Sequence, residues 1–202
     1  MRRILWVAAL LVMAVALSSC AKAPQADFDA AQAKLEEARG VEAEKYATAE
    51  FGAARDSLEA ARTEIEAQNG KFALFRKYGR AKTLIASADA QAVTAKQAAI
   101  EGKERTKNEA EQLMMQAQAA IDSTNTLVEK APKGKESRAD LELIKSDLTG
   151  AQASLDDARA SFQREEYLEA KAKAEAVINK ANQLSAEVNA AIEKYAAARG
   201  RR

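Results

Sequence analysis

Apolar residues recur at alternating steps of three and four residues along most of this chain, and this spacing constrains the fold more than any other feature. Such steps place side chains on one face of an α-helix, whereas a half-buried strand needs alternation at every second residue. We call each run with this spacing a heptad run. Several heptad runs separated by turn-sized breaks predict an all-α fold, namely an elongated antiparallel helical bundle, or tandem helical hairpins, with alanine-rich seams.

The members of the heptad runs are the residues that we expect to be buried between helices. Many are alanines, which allow helix axes to approach near the low end of the usual spacing of about 8 to 10 Å. The runs are Phe28, Ala31, Leu35, Ala38; then Phe51, Ala54, Leu58, Ala61, Ile65; then Tyr78, Ala81, Ile85, Ala88, Ala92, Ala95, Ala99; then Ala110, Leu113, Ala117, Ala120, Thr124, Leu127, Ala131; then Leu141, Ile144, Leu148, Ala151, Leu155, Ala158, Phe162; and finally Tyr167, Ala170, Ala174, Val177, Ala181, Leu184, Val188, Ala191, Tyr195, Ala198.

Breaks between the runs indicate where helices begin and end. Short polar residues favour the first turn of a helix, glycine favours its end, and proline disfavours helical geometry in the residue before it. A change of phase in the heptad spacing also marks a turn, even without glycine or proline. We therefore expect caps or turns at Asp27, at Asn69 and Gly70, at residues 132–135, at Ser137 with Asp140, and at residues 163–166.

Residues 101–109 contain no large apolar side chain and allow two interpretations. One is a polar loop or hinge that contains Gly102. The other is a continuous helix, because the step from Ala99 to Ala110 is 11 residues and a helix absorbs such a step by slight unwinding. We expect the continuous helix.

Most aromatic residues lie near the predicted helix ends. We expect them to fill the wider space beside turns, and the alternative is a recognition role for some of them. The aromatic residues after the signal segment described next are Phe28, Tyr46, Phe51, Phe72, Phe75, Tyr78, Phe162, Tyr167 and Tyr195.

The start of the chain has the pattern of an export signal. Arg2 and Arg3 precede an apolar run over residues 4–17, which is too short for a durable membrane span. The four residues that end this segment resemble the signal box of bacterial lipoproteins: Leu17, Ser18, Ser19 and Cys20. The resemblance implies cleavage before Cys20 and diacylglycerol on its sulfur. A plain cleavable signal is the alternative.

Under this interpretation residues 1–19 are a signal peptide, and residues 20–26 are the lipidated cysteine and a short tether. Two or more acyl chains, palmitate among them, hold a protein stably on a membrane, so membrane lipid is the first expected partner. The residue after the cysteine is Ala21 and not an aspartate. With this residue, the resemblance to lipoproteins favours the outer membrane, on its periplasmic face.

Composition excludes several function classes. Removal of residues 1–19 changes 31 basic and 30 acidic residues to 29 and 30, so nucleic-acid binding has no electrostatic support. The chain has no histidine and Cys20 is its single cysteine, so neither a histidine base nor a second thiol is present. Acid pairs such as Glu36 and Glu37 are adjacent on a helix and do not face each other. We expect no enzyme, no cofactor and no metal.

A short unit recurs in which Leu-x-x-Ala-Arg precedes Tyr-x-x-Ala. The leucine and alanine belong to the seam, the arginine is expected to face water, and the tyrosine to begin the returning helix. Its copies start at Leu35, Leu58 and Leu155, with tyrosines Tyr46, Tyr78 and Tyr167.

Residues 45–61 resemble an alanine-rich bacterial lipoprotein family named domain of unknown function 4398. The resemblance covers residues 26–100, with a weaker echo at 137–190. It implies tetratricopeptide-like helical hairpins in a lipoprotein setting, and no activity. We expect a first hairpin region at residues 27–100 and a second, continuous with it, at 101–202.

Three functions from different classes remain. The first is a structural or protein-interaction lipoprotein, a scaffold or adaptor of the cell envelope whose second partner is an envelope protein or the cell wall. The second is a tetratricopeptide-like adaptor with a groove for a peptide, which would require a concave apolar surface. The third and most remote is an envelope enzyme. The oligomeric state does not follow from the sequence.

Overall fold

The structure of the chain is a computed structural model that describes residues 22–132, 134 and 138–200. These residues form α-helices and one 3-10 turn, with no strand among them. The all-α prediction is confirmed. The helices are α1 (Gln25–Gly40), α2 (Ala43–Tyr46), α3 (Thr48–Asn69), α4 (Gly79–Lys130), α5 (Arg138–Gln163) and α6 (Tyr167–Gly200), and the 3-10 turn is Ala73–Phe75.

The chain divides into two compact units, with the boundary between Gly102 and Lys103. The first unit contains α1, α2, α3 and the beginning of α4. The second contains the remainder of α4 with α5 and α6. Each unit has its own core of buried apolar residues.

The core of the first unit contains the three heptad runs predicted for it, together with Ala43 and Ala47 from the segment between α1 and α3. Every predicted member from Phe28 to Ala99 is buried, most of them almost completely. The surface above this core carries contacts between helices: Lys34 of α1 lies 2.7 Å from a carboxylate oxygen of Asp89 in α4. Ser57 of α3 donates a hydrogen bond to Gln91 of α4 at 2.7 Å.

Two arginines of the recurring unit pair α1 with α3 in a reciprocal way. Arg39 of α1 lies over the ring of Phe51 near the start of α3, at 5.5 Å from its centroid. Arg62 of α3 lies over Phe28 near the start of α1 at the same distance. The expectation that these arginines only face water is therefore incomplete, because each also covers a core aromatic ring of the antiparallel helix.

The helix α4 continues without interruption through residues 101–109, so the continuous-helix prediction is confirmed and the hinge is wrong. Gly102 is buried, and a Cβ atom placed on it would lie 2.5 Å from the carbonyl oxygen of Tyr46. Gly102 and the partly buried Thr106 fill the 11-residue gap in steps of three, four and four. The glycine therefore permits a close approach of α4 to the backbone at the end of α2.

The core of the second unit follows the predicted runs of α5 and α6 closely, from Leu141 to Ala158 and from Tyr167 to Ala191. At the end of α6, Tyr195 and Ala198 are only partly buried. At the end of α5, Ser161 is fully buried in place of the predicted Phe162. The hydroxyl of Ser161 accepts a hydrogen bond from Lys173 of α6 at 3.0 Å, which satisfies this buried polar atom.

The predicted run in the second part of α4 is wrong at three positions. The buried residues there are Met114, Ile121 and Val128, each one position after the predicted residue. The predicted residues Leu113, Ala120 and Leu127 pack only partly against the same core. A helix that faces two neighbours buries a stripe wider than a two-residue seam, so adjacent apolar positions share the interface.

Two predicted helix ends have a clear outcome. Gly70 is the C-cap of α3, as predicted. Asp27 is not the N-cap of α1, because the helix already begins at Gln25, after Pro24, whose carbonyl accepts the amide hydrogen bond of Phe28 at 3.0 Å. Asp27 instead lies in the first turn, where its negative charge is favourable.

The predicted turn at residues 163–166 is confirmed, and its geometry explains how it forms without glycine. Glu165 has a φ of 63°. The amide of Glu166 donates to the carbonyl of Ser161 and the amide of Glu165 to that of Phe162, both at 3.0 Å. This pair of bonds is the Schellman arrangement that ends many helices. The break at residues 132–135 follows the end of α4 at Lys130, whereas Lys133, Lys135 and Ser137 lie outside the described residues.

Candidate functional site: an exposed apolar loop

The segment of residues 71–77, which we call the apolar loop, joins α3 to α4 and exposes large apolar side chains. Phe72 and Phe75 are each 70% exposed and Leu74 is 66% exposed. Full burial of such a side chain is worth about 1.5 to 3 kcal/mol relative to exposure, so a cluster of three is costly to leave in water. The expectation that Phe72 and Phe75 pack beside a turn is wrong.

Other aromatic residues follow the packing expectation. Phe28, Phe51, Tyr78 and Tyr167 are buried in the cores of their units. The rings of Phe162 and Tyr167 contact each other with centroids 5.1 Å apart. The apolar loop is thus distinguished from the remaining helix ends, where aromatic rings turn inward.

Hydrogen bonds to the end of α3 hold the apolar loop in place. The guanidinium of Arg76 donates to the carbonyl of Lys71 at 3.0 Å and to that of Asn69 at 2.9 Å. The amide of Lys77 donates to the side-chain oxygen of Gln68 at 3.0 Å. The Tyr78 hydroxyl donates to the side chain of Asn69. The loop is therefore hydrogen-bonded to the end of α3 while it exposes its apolar residues.

The apolar loop lies in a purely basic stretch of the sequence. No aspartate or glutamate occurs from residue 67 to residue 88. The same stretch has five basic residues, of which all but Arg76 are exposed: Lys71, Arg76, Lys77, Arg80 and Lys82. Arg80 lies 4.0 Å from Glu64 of α3, and the apolar cluster itself is flanked in the chain by the exposed Lys71 and Lys77.

The start of α1 lies at the same end of the first unit as the apolar loop. A groove of about 320 Å³ is lined by Gln25, Phe28 and Asp29 of α1 together with Ile65 and Asn69 of α3, among others. Asn69 in turn accepts hydrogen bonds from Arg76 of the loop and from Tyr78, which follows the loop. The chain therefore enters the first unit beside the apolar loop, and the exposed Lys22 adds a further cation there.

A second concave surface lies between α5 and α6 and has a volume of about 470 Å³. Its lining consists mainly of small residues, including Gly150, Ala151 and Ser154, with the Asp147–Lys180 ion pair at 2.6 Å. The hydrogen bond from Lys180 to Asp147 raises the pKa of the lysine. A shallow groove without aromatic residues offers few anchors for a peptide.

The acidic residues weighed in the sequence are separated into surface ion pairs. Glu36 pairs with Arg39 at 2.6 Å and Glu37 with Lys96 at 2.8 Å. In residues 101–109, Glu109 pairs with Lys171 of α6 at 2.6 Å. These carboxylates therefore form ion pairs with separate cations, and none of the three pairs with another carboxylate.

The predicted lipidation site lies outside the described residues, and so do the rest of its signal box: Leu17, Ser18, Ser19 and Cys20. Within the described residues, no group of three or more histidine, cysteine, aspartate or glutamate side chains is placed to hold a metal ion. No helix in this part of the chain has the length and apolar character needed to cross a membrane.

Comparison with known proteins gives no match, whether to a protein-family model, to a curated protein or to a solved structure. The resemblance to the lipoprotein family thus stays a prediction based on the residues quoted above.

The ion pairs between helices predict how stability depends on pH. Hydrogen bonds from Lys96 and Lys171 lower the pKa values of Glu37 and Glu109 below their ordinary value of 4.5. The contribution of these two carboxylates to the free energy of unfolding is complete above pH 4.5 and is lost as the pH falls through the lowered pKa values. The bond to Glu109 raises the pKa of Lys171 above 10.5, so this contribution is complete below pH 10.5 and is lost at higher pH.

Since the chain has no histidine, we expect its urea midpoint to be constant between about pH 6 and 9 and to fall only outside these limits. Circular dichroism at a series of pH values measures this. A change in the urea midpoint near neutral pH would contradict the assignment of the pH dependence to these lysine–glutamate ion pairs.

Proposed function

We propose that this protein is a membrane-anchored periplasmic lipoprotein with a structural or protein-interaction role, as a scaffold or adaptor in the cell envelope. The observation that carries the proposal is the box of Leu17, Ser18, Ser19 and Cys20 after an apolar export segment. Acylation of Cys20 would attach the protein to the outer membrane, with its helical units in the periplasm.

The cores of the two units support an interaction role over catalysis. Alanine seams bring the helices close together, and each of the two grooves described above is open to solvent. Long faces of helix remain exposed, with charges of both signs that pair across helices, such as Lys34 with Asp89 and Lys180 with Asp147. Such surfaces suit contact with a protein or with the cell wall, and the small lining of the α5–α6 groove gives the peptide-adaptor alternative less support.

The test of anchoring is the Cys20→Ala variant. We expect it to abolish recovery in the outer-membrane fraction, because the variant has no sulfur to carry diacylglycerol, and either a soluble form or an uncleaved precursor should accumulate. Membrane fractionation with mass measurement of the product distinguishes these results. The matched control is Ala21→Ser, which keeps the cysteine and should fractionate as the parent does. Unchanged outer-membrane recovery of Cys20→Ala would refute the proposal.

The second partner can be sought with proximity crosslinking in the native envelope, followed by mass spectrometry. A scaffold role predicts crosslinks from exposed helix faces to an envelope protein or to cell-wall peptides. Crosslinks only to lipid would show that the protein does not connect the membrane to another component.

A further inference from the structure

We propose that the apolar loop is a second membrane contact of this protein, in which Phe72, Leu74 and Phe75 enter the acyl region of the bilayer while the surrounding cations contact anionic headgroups. This inference rests on the proposed function, since it places the loop on the membrane that carries the acylated Cys20. The partner is a lipid surface with negative charge.

The length of chain before α1 brings the loop to the bilayer. Only four residues lie between Cys20 and Gln25, so these five steps along the chain keep the start of α1 within about 18 Å of the anchored cysteine. The start of α1 and the apolar loop share one end of the first unit, through the groove that joins Gln25 to Asn69. A unit anchored at Cys20 therefore has this end close to the lipid.

The chemistry of the loop matches the interface of a bilayer. Apolar side chains that enter the acyl boundary, flanked by lysine and arginine, are the features of proteins that bind the surface of membranes. The exposed apolar residues occupy the centre of the loop, and Lys71 and Lys77 lie on either side of them. Each cation near an anionic surface adds attraction that decays within a Debye length.

Hydrogen bonds within the loop favour insertion in the conformation that the structure shows. Phe75 donates its amide to the carbonyl of Phe72 at 2.9 Å, and the two rings lie 6.3 Å apart between centroids. Arg76 joins the two ends of the loop through its bond to Lys71 and ties the loop to α3 through its bond to Asn69. These bonds within the first unit hold the apolar residues outward, and insertion therefore requires little ordering of the loop.

A fluorescent probe on the acylated full-length mature protein tests this inference. Because the sulfur of acylated Cys20 is blocked, Leu74→Cys supplies the only free thiol for a dye that reports quenching by lipids brominated on their acyl chains. The control is Val93→Cys on α4, a side chain 53% exposed and about 20 Å further along the helix. In vesicles of phosphatidylcholine and phosphatidylglycerol, we expect quenching at position 74 to be at least threefold stronger than at position 93.

Two further variants isolate the contributions of the loop. Phe72→Ser with Phe75→Ser should reduce quenching at position 74 to the level at position 93, and Lys71→Glu with Lys77→Glu should reduce it by half or more. Arg76 is left intact because it caps α3. Equal quenching at positions 74 and 93 would overturn the inference. If position 74 were shielded from solvent in native envelopes but not in pure lipid vesicles, the inference would also be overturned, because the loop would then bind a protein.

The labelling experiment distinguishes a failure of the proposed anchor at Cys20 from a failure of the proposed membrane contact by the apolar loop. If Cys20 is not acylated, its own thiol accepts the dye in the parent protein, and the proposed function fails. If the parent resists labelling and position 74 is still not quenched, the anchor stands and the loop inference is wrong.

Discussion

Replacing Gly102 with alanine is expected to lower the stability of the first unit by about 2 to 3 kcal/mol, although alanine is the better helix former. The added Cβ atom would lie 2.5 Å from the carbonyl oxygen of Tyr46 and 3.3 Å from its Cβ atom. The atom in the way belongs to the backbone, so it cannot rotate aside as the tip of a side chain would. Urea unfolding followed by circular dichroism, with hydrogen exchange to identify the affected unit, measures the loss.

The matched control is Gly52→Ala in α3 of the same unit. A Cβ atom on Gly52 would have no neighbour within 4 Å, so the variant gains helix propensity without a clash. We expect it to stabilise the unit by about 0.5 to 1 kcal/mol. If both variants were stabilising, Gly102 would be an ordinary helical glycine, and the close approach of α4 to α2 would be wrong.

The sequence predicted the helices and most of the core, because helical periodicity is a local signal. From Phe28 to Ala99 every position predicted by steps of three and four is buried, whereas the buried Ala43, Ala47 and Gln68 lie outside the predicted runs. The prediction became less accurate where two apolar positions are adjacent, as at Leu113 and Met114, since spacing alone does not show how many neighbours a helix has. The number of contacting helices is a tertiary property.

Gly102 illustrates what local reasoning misses. In the sequence it lies in a polar stretch, and its lack of a side chain suggests either a weak point or a hinge. In the structure it is buried, because the backbone at the end of α2 lies close to α4. The 11-residue step between Ala99 and Ala110 was a sufficient signal for a continuous helix, but it gave no reason for a glycine at that position.

The apolar loop was also missed, for a related reason. Aromatic residues near helix ends usually fill space, and this rule predicts a packing role for Phe72 and Phe75. The missed signal was the absence of any acidic residue from 67 to 88 around them. Charge segregation of this kind is visible in sequence, whereas the outward direction of the rings depends on the hydrogen bonds of Arg76 and Gln68.

The seam of α6 provides the second prediction of large effect. Ala174 is fully buried in the core of the second unit, between the equally buried Ala170 and the almost fully buried Val177 along the same seam. Ala174→Leu adds three carbon atoms where helices already pack at close range. We expect a loss of about 1 to 3 kcal/mol in the free energy of unfolding, because an overfilled core must shift its backbone or use strained rotamers.

Ala172→Leu is the matched control, because Ala172 lies two residues away on the exposed face of the same helix. Both substitutions have nearly the same helix propensity, so the difference between them isolates packing. We expect the control to be within about 0.5 kcal/mol of the parent. Equal losses for the two variants in urea would show that the seam of α6 is assigned to the wrong face of the helix.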